Sequence, residues 1–253
     1  MNERKQALRE RIWAALQVAG VARFPGAVGR IPNFAGAEQA ATRIAQLDIW
    51  QCAHTIKSNP DLPQRPVRHA ALTAGKTVYV AVPRLANEQP FLELDPARLD
   101  PRQLWKASSI KGAFALGRPV SLDEMRPIDL IVTGCVALTR GGARLGKGGG
   151  YSDLEYALAR EVGLVGPEAP IVTTAHPLQI VGEGEIPMAS HDISLDWIAT
   201  PDELIETRRM YPRPPGVLWE ALEPEKVAAI PVLQRMASTD ARRAQRINGY
   251  DNG

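Results

Sequence analysis

A chain of 253 residues, 45% hydrophobic and 23% charged with a net charge of +2, has the composition of an ordinary globular protein with a substantial core. So small a net charge, with scattered basic residues, argues against nucleic acid as the main partner; the aromatic-basic neighbourhoods are Lys106 and Lys111 near Trp105, and Arg208, Arg209 and Arg213 near Tyr211. No run of about 18 apolar residues occurs and the first residues, M-N-E-R-K-Q-A-L-R-E-R, hold no apolar signal region, so a cytoplasmic protein without a membrane partner is expected.

In chain order, Ala7 to Ala19 carries apolar residues at helical spacing and ends at Gly20, which predicts a first helix. Ala37 to Leu47 predicts a second, and Ile49 to Ile56 a first strand. Val67 to Ala74 reads as a helix closed by Gly75, and Thr77 to Val82 as a strand stopped by Pro83. Ile128 to Leu138 is the strongest strand, Leu154 to Glu161 a helix, Pro170 to Ala175 a strand and Trp197 to Thr200 a short edge strand. Strands alternating with helices predict an α/β fold, a mainly parallel sheet covered on both faces. Cys52 and Cys135 lie in apolar runs and are expected to be buried thiols. Past about Pro201 the chain turns basic and proline-rich. Residues 1–205 therefore read as one domain and 206–253 as an extension. Trp219, Leu222, Val227, Ile230 and Leu233 predict an ordered wrap up to about Met236, ahead of a mobile polar end at Arg246 to Gly253.

The most informative stretch is Gly146 to Asp153, G-K-G-G-G-Y-S-D, placed between a strand and a helix. Glycines let the backbone reach φ > 0 and turn its N–H groups toward anionic oxygens, Lys147 adds a point charge, and a helix N-terminus favours phosphate. Asp153 serves there either as a helix cap or as a ligand for the magnesium that accompanies a nucleotide. Neither the P-loop nor the dinucleotide fingerprint fits, since Lys147 is followed by Gly148 and no glycine or alanine stands at Tyr151 or Asp153.

The wider stretch R-L-G-K-G-G-G-Y-S-D, Arg144 to Asp153, resembles the R-L-G-x-G-x-G-Y-Y-D signature of the 5-formyltetrahydrofolate cyclo-ligase family. Lys5 and Arg9 match its N-terminal K-x-x-x-R, Ala74-Gly75-Lys76 and the strand ending at Pro83 its G-K-x-V-x-x-P, and His191-Asp192 with Leu195-Asp196 its H-D-x-x-L-D. The resemblance implies a three-layer sandwich of the type shared with sugar-phosphate isomerases and coenzyme A transferases. It implies ATP- and Mg2+-dependent conversion of 5-formyltetrahydrofolate to 5,10-methenyltetrahydrofolate by a monomer or homodimer. By position, Lys5, Arg9, Arg144, Gly146, Lys147, Gly148, Gly149, Gly150 and Tyr151 would hold the nucleotide. Asp153 and Asp192 would hold the metal; Lys147, Tyr151 and Asp61 would be catalytic, with Asp61 also binding substrate. Each has a plainer reading: Lys5 and Arg9 as a solvated helix face, Asp192 as a turn cap, Asp61 as an Asx-turn residue, His191 as a packed neighbour.

The chain departs from the signature at Ser152, where the family has a second tyrosine, at Leu154, where a basic residue often stands, and at Asp61, where the family has glutamate. Those departures, K-S-N-P-D-L-P-Q-R-P-V-R and the extension at Pro224 to Leu233 resemble a longer branch, the methenyltetrahydrofolate synthase domain-containing type. Its bacterial members are associated with thiamin metabolism. The alternative expectation is a paralogue that keeps the nucleotide site and acts on another heterocycle, or binds nucleotide without catalysis.

Overall fold

The computed structural model describes residues 2–208 and 210–239. Helix α1 (Asn2–Val18) precedes α2 (Ala37–Ile44), α3 (Asp48–Cys52), strand β1 (Thr55–Ser58), α4 (Arg65–Thr73), β2 (Thr77–Ala81) and β3 (Phe91–Leu94). Then come α5 (Leu104–Ala107), α6 (Ile110–Leu116), β4 (Arg118–Val120), β5 (Leu130–Thr133), β6 (Ala137–Thr139), β7 (Arg144–Leu145) and α7 (Tyr151–Glu161). The remainder is β8 (Ile171–Thr174), β9 (Ile180–Val181), β10 (Trp197–Ala199), β11 (Leu204–Glu206) and α8 (Pro224–Ala229), followed by a helical stretch at 231–239.

Eight strands form the main sheet in the order β11-β10-β8-β5-β1-β2-β3-β4. The five inner neighbours from β10 to β2 pair in parallel, and antiparallel partners close both edges. Successive side chains point to opposite faces of a strand, and two cores follow. Ile56, Val78, Val80, Leu130, Val132 and Val172 meet α2, α4, α5 and α6 on one face. Tyr79, Ala81, Ile131 and Ile171 meet α7 and the 230–233 segment on the other. The connection to β2 leaves β1 on one side and β5 pairs on its other side, so the sheet has its switch point between β1 and β5, where ligands of open α/β sheets bind beyond the strands' carboxyl ends. A three-stranded sheet, β7-β6-β9, carries α1, whose Leu8, Ile12, Trp13 and Leu16 pack on Val136, Ala137, Ala143 and Leu145.

Four expectations are corrected. Ile49 to Ile56 is not one strand: the run lacks a sustained alternation, so residues 48–52 coil into α3 with Trp50 inward, and β1 starts only at Thr55. Cys52 sits on the outer side of that helix and is exposed, whereas Cys135 is buried. Ile128 to Leu138 breaks into β5 and β6 at Gly134, where an added Cβ would stand 2.8 Å from Ile31 and 2.9 Å from Gln64 Oε1. The Gln64 and Ile31 side chains fill the turn, and Gln179 Nε2 donates to the carbonyls of Cys135 (2.9 Å) and Val136 (3.2 Å), so β6 leaves for the small sheet. Trp197 to Thr200 is not an edge, since β11 hydrogen-bonds outside β10.

Past β11, Ile230, Val232 and Leu233 are buried against α7, with Trp219, Leu222, Val227 and Met236 packed around them. The polar end at 246–253 lies outside the described residues. Among the described residues no helix is long and apolar enough to cross a membrane. Ile230→Ala should cost about 2–5 kcal/mol, the range for emptying a fully buried aliphatic site, read as a lowered urea midpoint. A thiol reagent should titrate one fast cysteine, Cys52, in native protein and two after denaturation, because burial pushes the Cys135 thiol up to about 11.

Candidate functional site

The glycine loop enters α7 through Gly148 (φ 112) and Gly150 (φ 65), the N-cap, both in backbone conformations that side chains disfavour. Asp153 therefore stands in the first turn and not at the cap, and its carboxylate is used elsewhere. Oδ1 accepts from Arg144 Nη2 at 2.6 Å and from the Ile193 N–H at 3.0 Å. Arg144 also donates to the Gly134 carbonyl at 3.0 Å, and its Nε is buried without a hydrogen-bond partner. Burial works to lower the Arg144 pKa, but the charge and hydrogen bond of Asp153 carry it above the ordinary value.

The neighbour of Ile193, Asp192, accepts from Lys5 Nζ at 2.6 Å and from the Ala189 N–H at 2.7 Å. Lys5 and Arg9 lie on the inward face of α1, each 8% exposed, which removes the solvated-face reading. Arg9 Nε donates to the Gly146 carbonyl at 2.8 Å, and its guanidinium stands 3.5 Å from where a Gly148 Cβ would be. Burial pulls the Arg9 pKa down and Asp192 opposes that shift. His191, half-exposed, has Nε2 3.7 Å from Asp192 Oδ1. Lys76 belongs to another place, donating to the Ala53 carbonyl at 2.6 Å.

Asp61 follows β1 and makes no capping bond, so the Asx-turn reading falls; its Oδ1 lies 3.3 Å from Lys147 Nζ. Arg68, fully buried on α4, holds this loop by donating to the carbonyls of Asn59, Pro60 (3.1 Å), Asp61 (3.1 Å) and Ser108 (2.8 Å). Burial pulls its pKa down, yet a guanidinium with four carbonyl acceptors stays charged. Between Asp61, Lys147, Gly134 and α7 lies a cavity of about 400 Å³, a ligand-sized volume. Arg84 lines it too, and with Leu85 keeps φ values of 61° and 52°, a strained backbone for non-glycine residues.

Beside Ser152, already noted as a departure from the signature, the wall of that cavity has groups the sequence did not single out, Asn59 and Glu155, backed by Thr133 and Lys57. Ser152 Oγ lies 2.9 Å from Thr133 Oγ1 and donates to Asn59 Oδ1 at 3.3 Å, which also accepts from Lys57 Nζ at 3.3 Å. Lys57 is ion-paired with Glu155 of α7, both buried. Burial raises the Glu155 pKa and Lys57 opposes the rise. The available signal was Lys57 inside a buried strand and Glu155 in the apolar run L-E-Y-A-L.

Arg9, Arg144, Lys147, Asp61 and Asp153 thus border one loop, and Lys5 with Asp192 is tied to it through the Ile193 N–H and Asp153. Among the described residues no group of three or more His, Cys, Asp or Glu is arranged to hold a metal. Magnesium needs only one or two carboxylates beside phosphate oxygens, and Asp153 and Asp192, tied through the Ile193 N–H, fit that need. Arg9, Arg144 and Lys147 beside the loop fit the phosphates.

Residues 1–201 match the model of the 5-formyltetrahydrofolate cyclo-ligase family, and the chain belongs to that family. It is 40% identical over 233 residues to the methenyltetrahydrofolate synthase domain-containing protein of Mus musculus, covering 92% of this chain and 63% of that protein. The corresponding Homo sapiens protein is 36% identical over 237 residues, 93% of this chain and 62% of the relative. The chain therefore spans a little under two thirds of the length of these curated relatives. The 5-formyltetrahydrofolate cyclo-ligase of Escherichia coli K12 is 26% identical over 179 residues, 67% of this chain and 90% of that one. The solution structure of Aquifex aeolicus 5,10-methenyltetrahydrofolate synthetase shares the fold, with a TM-score of 0.51 at 19% identity over 82% of this chain and 94% of that chain.

Asp153→Asn keeps an acceptor for Ile193 but leaves the Arg144 charge buried without its anion. It should destabilise the protein by about 3 kcal/mol, measured by chemical denaturation, and this cost must be separated from any loss of ligand binding.

Proposed function

We propose that the chain is an ATP- and magnesium-dependent enzyme of the cyclo-ligase type, converting 5-formyltetrahydrofolate to 5,10-methenyltetrahydrofolate. The observation that carries the reading is the glycine loop at the N-terminus of α7, bordered by Arg9, Arg144 and Lys147 and by the linked carboxylates Asp153 and Asp192. When bound, ATP with magnesium supplies the phosphoryl group that makes the formyl oxygen a leaving group. Lys5, Arg9, Arg144 and Lys147 neutralise the phosphate oxygens, and the backbone N–H groups of Gly148 to Tyr151 cradle them. Asp153 and Asp192 would hold the metal, and Lys5 and Arg144, paired with them here, would then face the phosphates. Asp61, fixed through its carbonyl by Arg68, orients the substrate next to Lys147. Tyr151 covers the loop against water.

A second reading is favoured by the polar groups of the cavity wall. Where the family's second tyrosine would stand, Ser152 joins Thr133 and Asn59 above the Lys57–Glu155 pair, a surface suited to a small heterocycle with both donors and acceptors. In that case nucleotide is turned over with a thiamin-related compound in place of the folate.

Purified protein mixed with 5-formyltetrahydrofolate, magnesium and ATP should show a rise in methenyl absorbance that needs ATP. A flat trace from protein that binds ATP transfers the proposal to the second reading, tested by ATP turnover with pyrimidine and thiazole compounds. Lys147→Ala should weaken ATP by about tenfold, equivalent to about 1.4 kcal/mol, and AMP much less, because Lys147 offers charge and no base contact. Equal losses place Lys147 away from the terminal phosphates.

A further inference from the structure

The family match ends at residue 201, but the walls of the site continue past it. Arg213 fixes the next stretch to the body by donating to the carbonyls of Ser194 (3.2 Å) and Ala169 (3.0 Å) and pairing with Asp196. The Val217 N–H then donates to Glu161 Oε2, at the end of α7, at 2.8 Å. Ile230, Val232 and Leu233 hold the far end in the core. Between these anchors, residues 214–229 and α7 line a half-open cavity of about 570 Å³.

That cavity and the smaller one have the loop as their common partition, since Gly149, Gly150, Tyr151 and Asp153 line both. Their other walls carry different residues. The smaller has Asp61, Asn59 and Glu155 with the cations Arg144 and Lys147, and apolar Ile31, Ala81 and Val82. The larger is apolar along Leu154 and Ala157 of α7 and along Val217, Leu218 and Leu222 of the strap. Glu223 and Glu225 also line it, carboxylates that repel a polyphosphate but accept hydrogen bonds from sugar hydroxyls.

One cation of the strap reaches the loop itself. Lys226 Nζ donates to the Gly149 carbonyl at 3.1 Å and lies 5.1 Å from the centre of the Tyr151 ring. It also stands 3.1 Å from where a Gly150 Cβ would be. Neither contact carries a formal negative charge, and no carboxylate among the described residues is ion-paired with Lys226. An ammonium held against an anion-binding loop by a carbonyl and an aromatic face keeps its charge available to a ligand.

Phosphoryl transfer needs donor and acceptor on the two sides of the transferred group. A loop that separates two chambers supplies that arrangement. We propose that residues 214–229 form the nucleoside half of the nucleotide site. Lys226 is a phosphate contact, Val217, Leu218 and Leu222 form the wall for the purine, and the acceptor substrate occupies the smaller chamber. The proposal rests on the reading that the glycine loop binds nucleotide.

The test uses the full chain and calorimetric titration with ATP in magnesium and with inorganic tripolyphosphate. Lys226→Ala should weaken both ligands by about tenfold, and Lys226→Arg should restore most of that loss. Ala221→Trp, at an exposed position lining the larger chamber, should weaken ATP by about tenfold while leaving tripolyphosphate unchanged. Melting temperatures of all three variants should match the parent. ATP affinity unchanged in either Lys226→Ala or Ala221→Trp overturns the proposal while leaving the loop reading intact. So does a loss in Lys226→Ala that arginine fails to restore or that accompanies a lowered melting temperature, which makes the lysine a prop for the loop. A parent protein without ATP affinity overturns both readings together.

Discussion

The buried guanidinium of Arg144 is the constraint on which the site depends. It leaves the small sheet, takes the Gly134 carbonyl at the end of β5, and meets the Asp153 carboxylate in the first turn of α7. Three elements of different origin are thereby set at fixed distances around one charge. Because a buried cation without its anion costs several kcal/mol, the arrangement is close to all-or-none. Asp153 passes the constraint on through the Ile193 N–H, which positions Asp192 beside it, and Asp192 in turn holds Lys5 of α1. A chain of charge-assisted hydrogen bonds thus links the first helix to the loop before β10.

Lys5, Arg144 and Lys147 are each paired with a carboxylate of the site. Under the proposed function, a magnesium polyphosphate would exchange these pairs for new ones: carboxylate to metal, lysine and arginine to phosphate. Such an exchange would keep the number of buried charges with partners roughly constant and avoid most of the desolvation that opposes binding. On the other side of the loop the Lys57–Glu155 pair follows from sheet geometry. Ile56 faces α2 and α4, so its neighbour Lys57 must face α7, and only a carboxylate on that helix makes the position tolerable.

Much of this was legible in the residues. The glycine loop and its strand-to-helix setting followed from local spacing; the Lys5–Arg9 pair came with the family signature, which depends on short contiguous motifs, while its burial did not, a solvated face being the plainer reading. The parallel sheet followed from alternation of strand and helix. What failed were places where tertiary contacts outrank local pattern. The Ile128–Leu138 run looks continuous until Gln64 and Ile31 arrive from elsewhere to occupy the space beside Gly134, and Cys52 looks buried until Trp50 alone turns inward. The Lys226–Gly149 contact spans 77 positions, a separation no motif records.

The packing of Ile230, Val232 and Leu233 on the α7 face also bears on how the protein is made. Domains tend to fold as the chain emerges from the ribosome, N-terminal parts first. Here α7 already covers one face of the sheet, but the apolar surface beside it that Ile230, Val232 and Leu233 bury stays open until synthesis has passed Leu233. A chain stopped between β11 and Ile230 would have its sheet strands complete and that part of its core open to water.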